Sequence, residues 1–516
     1  MKKISVGNQS FETIRQKDCF YVDKTNFISE WWESDDVVTL ITRPRRFGKT
    51  LNMDMIKCFF SNRYENRGNL FEGLNIWKEE KYRKLQGTYP VIFLSFADIK
   101  QNNYNDAVEK MKRIICLTIL VVIIKNVIIL LDEYDTPMQE AYINGYWEKI
   151  VTFTRVFFNS TFKTNPYLER AIMTGITTAE YSAIMKFAMQ TSNGSALAET
   201  MSKESIFSDL NNLDIVTTMS QKYETSFGFT EKEVFDALDE ADMSKEKTKV
   251  KEWYDGFTFG IVKDIYNPWS ITNYLKTGKF SAYWADTSSN GLVNKLIQTA
   301  PAETKELIEQ LLKGESIEVK FDEQIVFEQL DKSHDAIWSL LVASGYLKID
   351  YVEYKGLLLN PWYHISITNF ETLSMFANMF SGWFESSDAR YNDFIKALLR
   401  GNIKEMNYYM NKVALATFSY FDTGKRPSEI SEPEKFYHGF VLGLIVELSD
   451  KYEVKSNRES GFGRYDVMIV PFDKKEDAMV LEFKVYDSDE ENSLEDTLSS
   501  ALKQINEKEY DAELLS

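Results

Sequence analysis

The stretch from Arg43 to Thr50 has residue types that could hold phosphate groups. It reads Arg-Pro-Arg-Arg-Phe-Gly-Lys-Thr and matches the pattern G-x-x-x-x-G-K-[ST] at every fixed position except the first, where Arg43 replaces glycine. Lys49 would reach the β and γ phosphates of ATP, and Thr50 would ligate Mg²⁺. The residues expected to bind the nucleotide are Arg43, Pro44, Arg45, Arg46, Phe47, Gly48, Lys49 and Thr50.

Two carboxylates, Asp132 and Glu133, follow the apolar run from Val127 to Leu131. A buried strand here would deliver Asp132 to the metal ion and Glu133 to the attacking water as general base. The alternative is that this acidic segment only ends a strand at the protein surface. The phosphate-binding pattern upstream favours the catalytic interpretation.

A second group that could do chemistry consists of Asp466, Glu482 and Lys484, with Gln504 on the last predicted helix. Asp466 precedes one strand-like run, and Glu482 and Lys484 lie two apart on the next, so both side chains point to one face. Asp466 and Glu482 could then hold Mg²⁺ while Lys484 steadies the attacking water or the developing charge. This is the chemistry of phosphodiester cleavage.

The first group needs a sheet that brings distant segments together. Short apolar runs predict strands at 37–41, 91–96, 128–131 and 171–174, with helical spacing between them, beginning at 51–60. Buried strands that alternate with helices are typical of a parallel α/β sheet. The phosphate-binding segment would follow the first strand and open a helix, where backbone N–H groups attract anions.

Four segments resemble the bacterial AAA-ATPase-like family, whose members usually carry a PD-(D/E)XK nuclease-like domain at the C-terminus. The segments are Tyr21–Thr25, Arg43–Thr50, Leu131–Pro137 and Ser202–Leu213. The resemblance implies a P-loop NTPase-like domain with ATP and Mg²⁺ as cofactors. It also implies that Arg43 is the family's own residue at the position where the general pattern has glycine.

Three C-terminal segments carry the nuclease-like part of the resemblance: 436–444, 456–466 and 481–484. They imply that Asp466, Glu482 and Lys484 form the triad, with Gln504 as an associated helix residue. Arg458 and Arg464 would contact phosphate. Residues 431–516 contain 10 Lys and Arg but 21 Asp and Glu, a net charge of −11. This negative charge opposes tight binding of DNA.

The sequence departs from the family pattern in three places. The helical stretch at 102–126 is shorter, and residues 178–201 intervene after Thr177 without the usual arginine. The family also continues beyond the position of Ser516, so the last domain is expected to be truncated. A cation after Thr177 would stabilise transition-state charge, so ATP hydrolysis is less firmly predicted than ATP binding.

The sequence therefore predicts an α/β protein of three parts. Residues 1–225 form an AAA-ATPase-like P-loop domain, 226–389 a mostly helical middle region, and 390–516 a PD-(D/E)XK nuclease-like domain. The aromatic cluster at 253–269 is expected to be core rather than a platform for bases. His334, His364 and His438 lack metal-ligand spacing, and only His438 lies near a candidate site.

Composition limits the class of protein. A net charge of −18 excludes general coating of nucleic acid, and three scattered cysteines exclude a disulfide framework. No secretory signal is visible, and the apolar stretch at 114–131 is broken by Lys125-Asn126, so we expect a cytoplasmic protein without membrane contact. Oligomeric state is left open.

Two functions fit these observations. The first is an ATP-binding protein, and an ATPase, coupled to a Mg²⁺-dependent nuclease-like domain that acts on DNA or RNA. The alternative is a regulatory or interaction protein switched by nucleotide, in which the nuclease-like domain binds without cutting.

Overall fold

The fold was analysed in a computed structural model of the chain. The structure describes residues 2–118, 126–176, 207, 210–284, 291–321, 336–357, 359–385, 391–409, 440–446, 448–460, 463–482 and 493–507. It divides into two compact units. One comprises Met1–Leu292 with Glu318–Thr372, and the other Val293–Ile317 with Leu373–Ser516.

The first unit is built on a five-stranded sheet of order β2-β3-β4-β1-β5, in which every pair of neighbours is parallel. Its strands are β1 (Val38–Thr42), β2 (Val91–Ser95), β3 (Val127–Asp132), β4 (Leu168–Gly175) and β5 (Leu213–Val216). All five residues of β1 are buried. Strands covered on both faces read as continuous apolar runs, which is why the sequence predicted the first four correctly.

Helices connect these strands and pack against the sheet. They are α1 (Phe11–Gln16), α2 (Asn26–Ser34), α3 (Lys49–Phe60), α4 (Glu80–Arg83), α5 (Tyr104–Thr118), α6 (Thr136–Ile143) and α7 (Trp147–Phe162), with 3₁₀ turns at Asn62–Tyr64, Gly68–Phe71 and Asn75–Lys78. The apolar stretch at 114–131 contains the end of α5 and most of β3, with 119–125 outside the described residues. Among the residues that the structure describes, no helix combines the length and apolar character needed to cross a membrane.

The remainder of the first unit mixes helices with two small antiparallel sheets. The helices are α8 (Glu231–Glu240), α9 (Lys247–Tyr254), α10 (Pro268–Thr277) and α13 (Ala336–Ala343), with a 3₁₀ turn at Ser244–Glu246. The sheets have orders β6-β8-β7 and β10-β11-β9. Their strands are β6 (Phe229–Thr230), β7 (Phe257–Phe259), β8 (Val262–Tyr266), β9 (Ile317–Val319), β10 (Leu347–Lys355) and β11 (Asn360–Ile367).

Aromatic residues of this region form a core, as the sequence predicted for most of the cluster at 253–269. Tyr254 and Tyr266 are fully buried and belong to one apolar core with Tyr274. The short strands β6 to β8 were not predicted, because two to five residues give too little alternation to recognise.

The second unit contains an antiparallel sheet of order β12-β13-β14. Its strands are β12 (Tyr452–Ser460), β13 (Gly463–Pro471) and β14 (Met479–Leu481). Its helices include α11 (Gly291–Thr299), α12 (Ala302–Leu312), α14 (Phe370–Glu385), α15 (Tyr391–Leu399) and α16 (Leu494–Glu507). Residues 403–409 and 440–446 are also helical.

Candidate functional site

The carboxyl ends of β1, β3 and β4 meet at one edge of the parallel sheet. β4 pairs with both other strands, so the loop after β1 lies close to the acidic residues after β3. Ligands bind at this edge in open α/β sheets. The segment Arg43–Gly48, which we call the β1–α3 loop, and the carboxylates of Asp132 and Glu133 are therefore brought together as predicted.

Backbone geometry turns the β1–α3 loop sharply into α3. Arg46 and Gly48 both have left-handed backbone conformations, with φ of 67° and 81°. Helix α3 begins at Lys49, directly after Gly48. A Cβ atom at Gly48 would meet no other atom within 4 Å, so glycine is favoured there by its positive φ rather than by crowding.

Lys49 points back into the loop. Its Nζ donates hydrogen bonds of 2.8 Å to the carbonyl oxygens of Arg43 and Pro44. Burial lowers the pKa of this ammonium, while the carboxylates of Glu133 and Asp132 act in the opposite sense. The positive charge thus lies at the N-terminus of α3. Its ammonium is held by two carbonyl oxygens that phosphate oxygens could replace.

Asp132 accepts two hydrogen bonds from threonines of different elements. Thr50 Oγ1 donates to Asp132 Oδ2 at 2.7 Å, and Thr174 Oγ1 donates to Asp132 Oδ1 at 2.5 Å. Asp132 is 1% exposed. A buried carboxylate that is held by hydroxyl groups is fixed in orientation, and hydroxyl and carboxylate oxygens are ligands that can hold Mg²⁺ in a nucleotide site.

Glu133 has an unusual backbone conformation for a residue with a Cβ atom. Its φ is 51°, in the left-handed region, where such strain clusters at functional sites. The Glu133 amide donates to Thr174 Oγ1 at 3.4 Å, and Glu133 Oε2 accepts from Thr136 Oγ1 at 3.3 Å. Burial raises the pKa of this carboxyl, opposed chiefly by the charge of Lys49.

Two residues not identified from the sequence complete this site. Thr174 contacts both Asp132 and Glu133, as described above. Asp135 is 1% exposed, and its Oδ2 accepts hydrogen bonds from the Ile176 amide at 2.9 Å and from Gln139 Nε2 at 3.1 Å. A Cβ at position 175 would lie 2.6 Å from the Tyr134 ring, so Gly175 permits this close approach.

Arg43 is directed away from the other loop charges. Its side chain is fully buried, with Nη1 donating to the carbonyl oxygens of Thr42 at 3.0 Å and Thr217 at 2.5 Å, and Nη2 to that of Lys222 at 3.3 Å. The guanidinium lies 4.6 Å from the Phe259 ring. Burial lowers the pKa of Arg43 to about 9. The arginine at the glycine position therefore anchors the loop, and its side chain is committed to backbone carbonyls.

Pro44 and Phe47 are held by the small sheets of the same unit. Phe47 is fully buried, with its ring 4.7 Å from Phe257 and 5.3 Å from Phe259. A Cβ at Gly345 would lie 3.1 Å from Pro44 Cγ. These side chains support the loop from behind, so their contribution to a ligand would come through their backbone.

Arg45 and Arg46 point in different directions. Arg46 places its guanidinium 3.9 Å from the Trp269 ring centre, a cation–π contact. Arg45 Nη2 donates to Gln139 Oε1 at 3.2 Å, on the helix that follows Glu133. The Arg45 carbonyl accepts from Asn267 Nδ2 at 3.3 Å.

The second group lies on the β12–β14 sheet. Val467 pairs with Leu481, and one position beyond this pair Asp466 and Glu482 follow on adjacent strands. Gln504 of α16 donates from Nε2 to Glu482 Oε1 at 2.6 Å. Glu482 is thus in contact with Gln504, Asp466 lies on the neighbouring strand β13, and Lys484 lies outside the described residues.

Three histidines and two arginines are the remaining candidates from the sequence. His364 lies on β11 with Nε2 3.3 Å from Glu318 Oε1, while His334 and His438 lie outside the described residues. Arg458 and Arg464 lie on adjacent strands near the turn of the β12–β13 hairpin, and only their backbone is described.

The two candidate sites lie in parts of the chain that match two different protein families. The profile described as "Predicted AAA-ATPase" matches residues 5–123 and 118–185, and that of the PD-(D/E)XK nuclease superfamily matches residues 432–516. The chain carries an N-terminal AAA-ATPase-like domain and a C-terminal PD-(D/E)XK nuclease superfamily domain. The β1–α3 loop and Asp132 fall in the first, and Asp466 and Glu482 in the second.

The AAA-ATPase-like match has two pieces that overlap at 118–123, within the stretch 102–126 that the sequence analysis expected to be short, and it ends at residue 185. Phe257 and Phe259, which pack against Phe47 of the β1–α3 loop, lie beyond it. An uncharacterized protein in the vnfD 5′ region of Azotobacter chroococcum mcd 1 is 27% identical over 403 residues, which cover 72% of this chain and 68% of that protein.

Proposed function

We propose that the AAA-ATPase-like domain binds ATP with Mg²⁺ and hydrolyses it, and that nucleotide state controls a Mg²⁺-dependent nuclease-like domain acting on nucleic acid. The observation that carries the proposal is the hydrogen bond between Thr50 and Asp132 at the mouth of the β1–α3 loop. It joins the two elements that phosphoryl transfer to water requires: a phosphate loop and a metal-binding carboxylate.

Binding would begin by exchange at Lys49. Phosphate oxygens replace the carbonyls of Arg43 and Pro44 as partners of its ammonium, and the N-terminus of α3 adds its N–H groups. Thr50 and Asp132 would hold Mg²⁺, which supplies charge neutralisation on the phosphates. The side chains of Arg43 and Phe47 keep the loop in shape from behind.

Glu133 would then act on the attacking water. The water oxygen bonds to the γ-phosphorus, the bond from that phosphorus to the β–γ bridging oxygen breaks, and the water proton passes to the Glu133 carboxylate and on to solvent. A carboxyl whose pKa is raised by burial is a stronger base than one in water, which suits this role. The products are ADP and phosphate.

In the nuclease-like domain Asp466 and Glu482 would hold Mg²⁺, because two carboxylates on neighbouring strand segments offer hard oxygen ligands. Gln504 fixes the orientation of Glu482 through its hydrogen bond. Lys484 is proposed to steady the attacking water. DNA or RNA is the proposed substrate, and we propose a cytoplasmic location for the protein.

A second candidate is favoured by charge. Residues 431–516 have the balance of −11 noted above, which opposes a polyanionic substrate. In this case the C-terminal domain binds without cutting, and the protein is a switch that nucleotide controls.

Cleavage assays separate the two candidates. Wild-type protein with Mg²⁺ and ATP is offered supercoiled plasmid and single-stranded DNA or RNA, beside Lys484→Ala and Asp466→Asn. The leading proposal expects cleavage by wild type that both variants lose. If wild type cuts no substrate with Mg²⁺ or Mn²⁺ yet hydrolyses ATP, the switch is favoured and the nuclease activity is wrong.

A further inference from the structure

ATP hydrolysis usually needs a cation beside the phosphoryl group that is transferred, and the sequence limits where this chain can find one. No arginine occurs between Arg170 and Arg390. The family resemblance led us to expect an arginine directly after Thr177. No other arginine nearby in the sequence can take its place. Arg170 itself is held by the carbonyls of Trp31 and Trp32.

The β1–α3 loop contains three arginines, and their side chains have separate destinations. Arg43 is buried on the carbonyls of Thr42, Thr217 and Lys222. Arg46 lies against Trp269. Of the three, Arg45 is the one with a hydrogen bond to the helix that follows β3. Arg46 also lies within electrostatic range of Glu133, whose charge raises the pKa of Arg46 against the larger effect of burial.

Hydrogen bonds link the guanidinium of Arg45 to the acidic segment that contains the proposed general base. Nη2 donates to Gln139, whose own Nε2 donates to Asp135, so a hydrogen-bonded chain links the loop to the acidic segment. Burial is the main cause of the raised pKa of Glu133 and of the lowered pKa of Lys49, and the charge of Arg45 makes a smaller contribution that lowers both. Arg45 thus acts electrostatically on both the proposed base and the phosphate-binding lysine.

We propose that Arg45 stabilises the charge that develops on the γ-phosphoryl oxygens, as an arginine supplied by the nucleotide-binding loop itself. This inference rests on the proposed ATP hydrolysis. In the proposed reaction the attacking water would lie between Glu133 and the γ-phosphorus, so a guanidinium held to the acidic segment would reach the equatorial oxygens. Gln139 and Asp135 would orient it through their hydrogen bonds. Arg45 forms no covalent bond, and the bonds made and broken are those given above.

The test compares turnover with affinity. Arg45→Ala should lower kcat for ATP by about 10³-fold, while the affinity for ADP with Mg²⁺ stays near that of wild type. Arg45→Lys keeps the positive charge but loses the planar guanidinium. Its kcat should therefore lie between those of wild type and Arg45→Ala. The fold-loss of kcat in Arg46→Ala should be smaller than that in Arg45→Ala by a factor of at least ten. Arg63→Ala removes an exposed arginine outside the site and serves as the control for net charge.

A readout other than turnover is the capture of ADP with aluminium fluoride, which mimics the transferred phosphoryl group. Wild type and Arg63→Ala should retain ADP in its presence, and Arg45→Ala should not. Added guanidinium should restore part of the turnover of Arg45→Ala. Thermal melting with and without ADP shows whether each variant is folded and binds.

The outcomes distinguish the two proposals. Equal kcat in Arg45→Ala and Arg63→Ala overturns the role of Arg45 while leaving ATP hydrolysis in place. A parallel loss of kcat and of ADP affinity in both Arg45→Ala and Arg45→Lys makes Arg45 a binding residue and also overturns the inference. Absence of turnover in wild type overturns both.

Discussion

Thr50 and Asp132 are 82 positions apart, yet Thr50 Oγ1 donates a hydrogen bond of 2.7 Å to Asp132 Oδ2. The contact depends on β4, which pairs with both β1 and β3 and fixes the distance between their carboxyl ends. The pairing of the strands thereby brings a hydroxyl and a carboxylate together at the proposed metal site.

Removal of the Thr50 hydroxyl should reduce the effect of Mg²⁺ on nucleotide affinity. In Thr50→Ala the metal keeps Asp132 but loses one oxygen ligand, so Mg²⁺ should raise ATP affinity, relative to EDTA, by less than in wild type. Thr50→Ser keeps the hydroxyl and should behave like wild type. Titration of a fluorescent ATP analogue under both conditions measures this, and a wild-type response to Mg²⁺ in Thr50→Ala would show that Thr50 is not a ligand.

Glu133→Gln should lower phosphate release by about 10²- to 10⁴-fold without loss of nucleotide binding, because it removes the general base. In wild type the base works only when ionised, so kcat should rise with pH through the raised pKa of Glu133. The variant should lack this rise. Glu148→Gln, an exposed residue of α7, is the matched control. Unchanged phosphate release in Glu133→Gln would exclude the role.

Arg43→Gly restores the glycine of the general pattern and should nevertheless destabilise the protein. Three backbone carbonyls lose their partner, and each unsatisfied buried group costs about 1–3 kcal/mol. We expect a loss of at least about 3 kcal/mol in the free energy of unfolding, measured by urea denaturation. Arg63→Gly controls for an exposed arginine. A variant as stable as wild type would show that Arg43 is not an anchor.

Asp255 should make the first unit less stable at alkaline pH. Its burial, and a hydrogen bond with the Asp264 carboxyl, raise the pKa of Asp255 to about 7. A carboxyl with a raised folded-state pKa contributes stability that is complete below its unfolded-state pKa, near 4, and is lost as pH rises through about 7. Lys251 Nζ, 3.7 Å from Asp255 Oδ2, moderates the effect.

The measurement for Asp255 is the urea midpoint at pH 5 and pH 8. Wild type should lose more stability between these values than Asp255→Asn, by about 1 kcal/mol or more. Asp98→Asn changes an exposed carboxylate of the same unit and should follow wild type. Identical pH dependence in Asp255→Asn and wild type would contradict the assignment.

Sequence predicted the elements that carry the site better than the side-chain directions within it. β1 and β3 were recognised because buried parallel strands are continuous apolar runs. β5 was not, since Leu213–Val216 is a short edge strand interrupted by Asp214. The anchoring role of Arg43 could not be predicted, because its partners Thr217 and Lys222 reach it only through the pairing of β5 with β1.

Lys24 shows the same limit. The segment Tyr21–Thr25 was recognised by resemblance, but its role emerges from contacts far along the chain. Lys24 Nζ donates to Glu233 Oε2 at 2.7 Å, and the Glu233 carboxylate also caps the start of α8. In its described contacts Lys24 thus stabilises the fold. The spacing of residues in the sequence does not indicate this role.

The most direct test of the account is an equilibrium titration of ATP with Mg²⁺ into wild type, Lys49→Ala and Lys84→Ala, with thermal melting to verify folding. Lys84 is exposed and lies outside the site, so its variant should bind like wild type. Loss of a charged hydrogen-bond donor to phosphate should weaken binding by Lys49→Ala about 10- to 100-fold. Equal affinity in a folded Lys49→Ala would contradict the assignment of the β1–α3 loop as the nucleotide site.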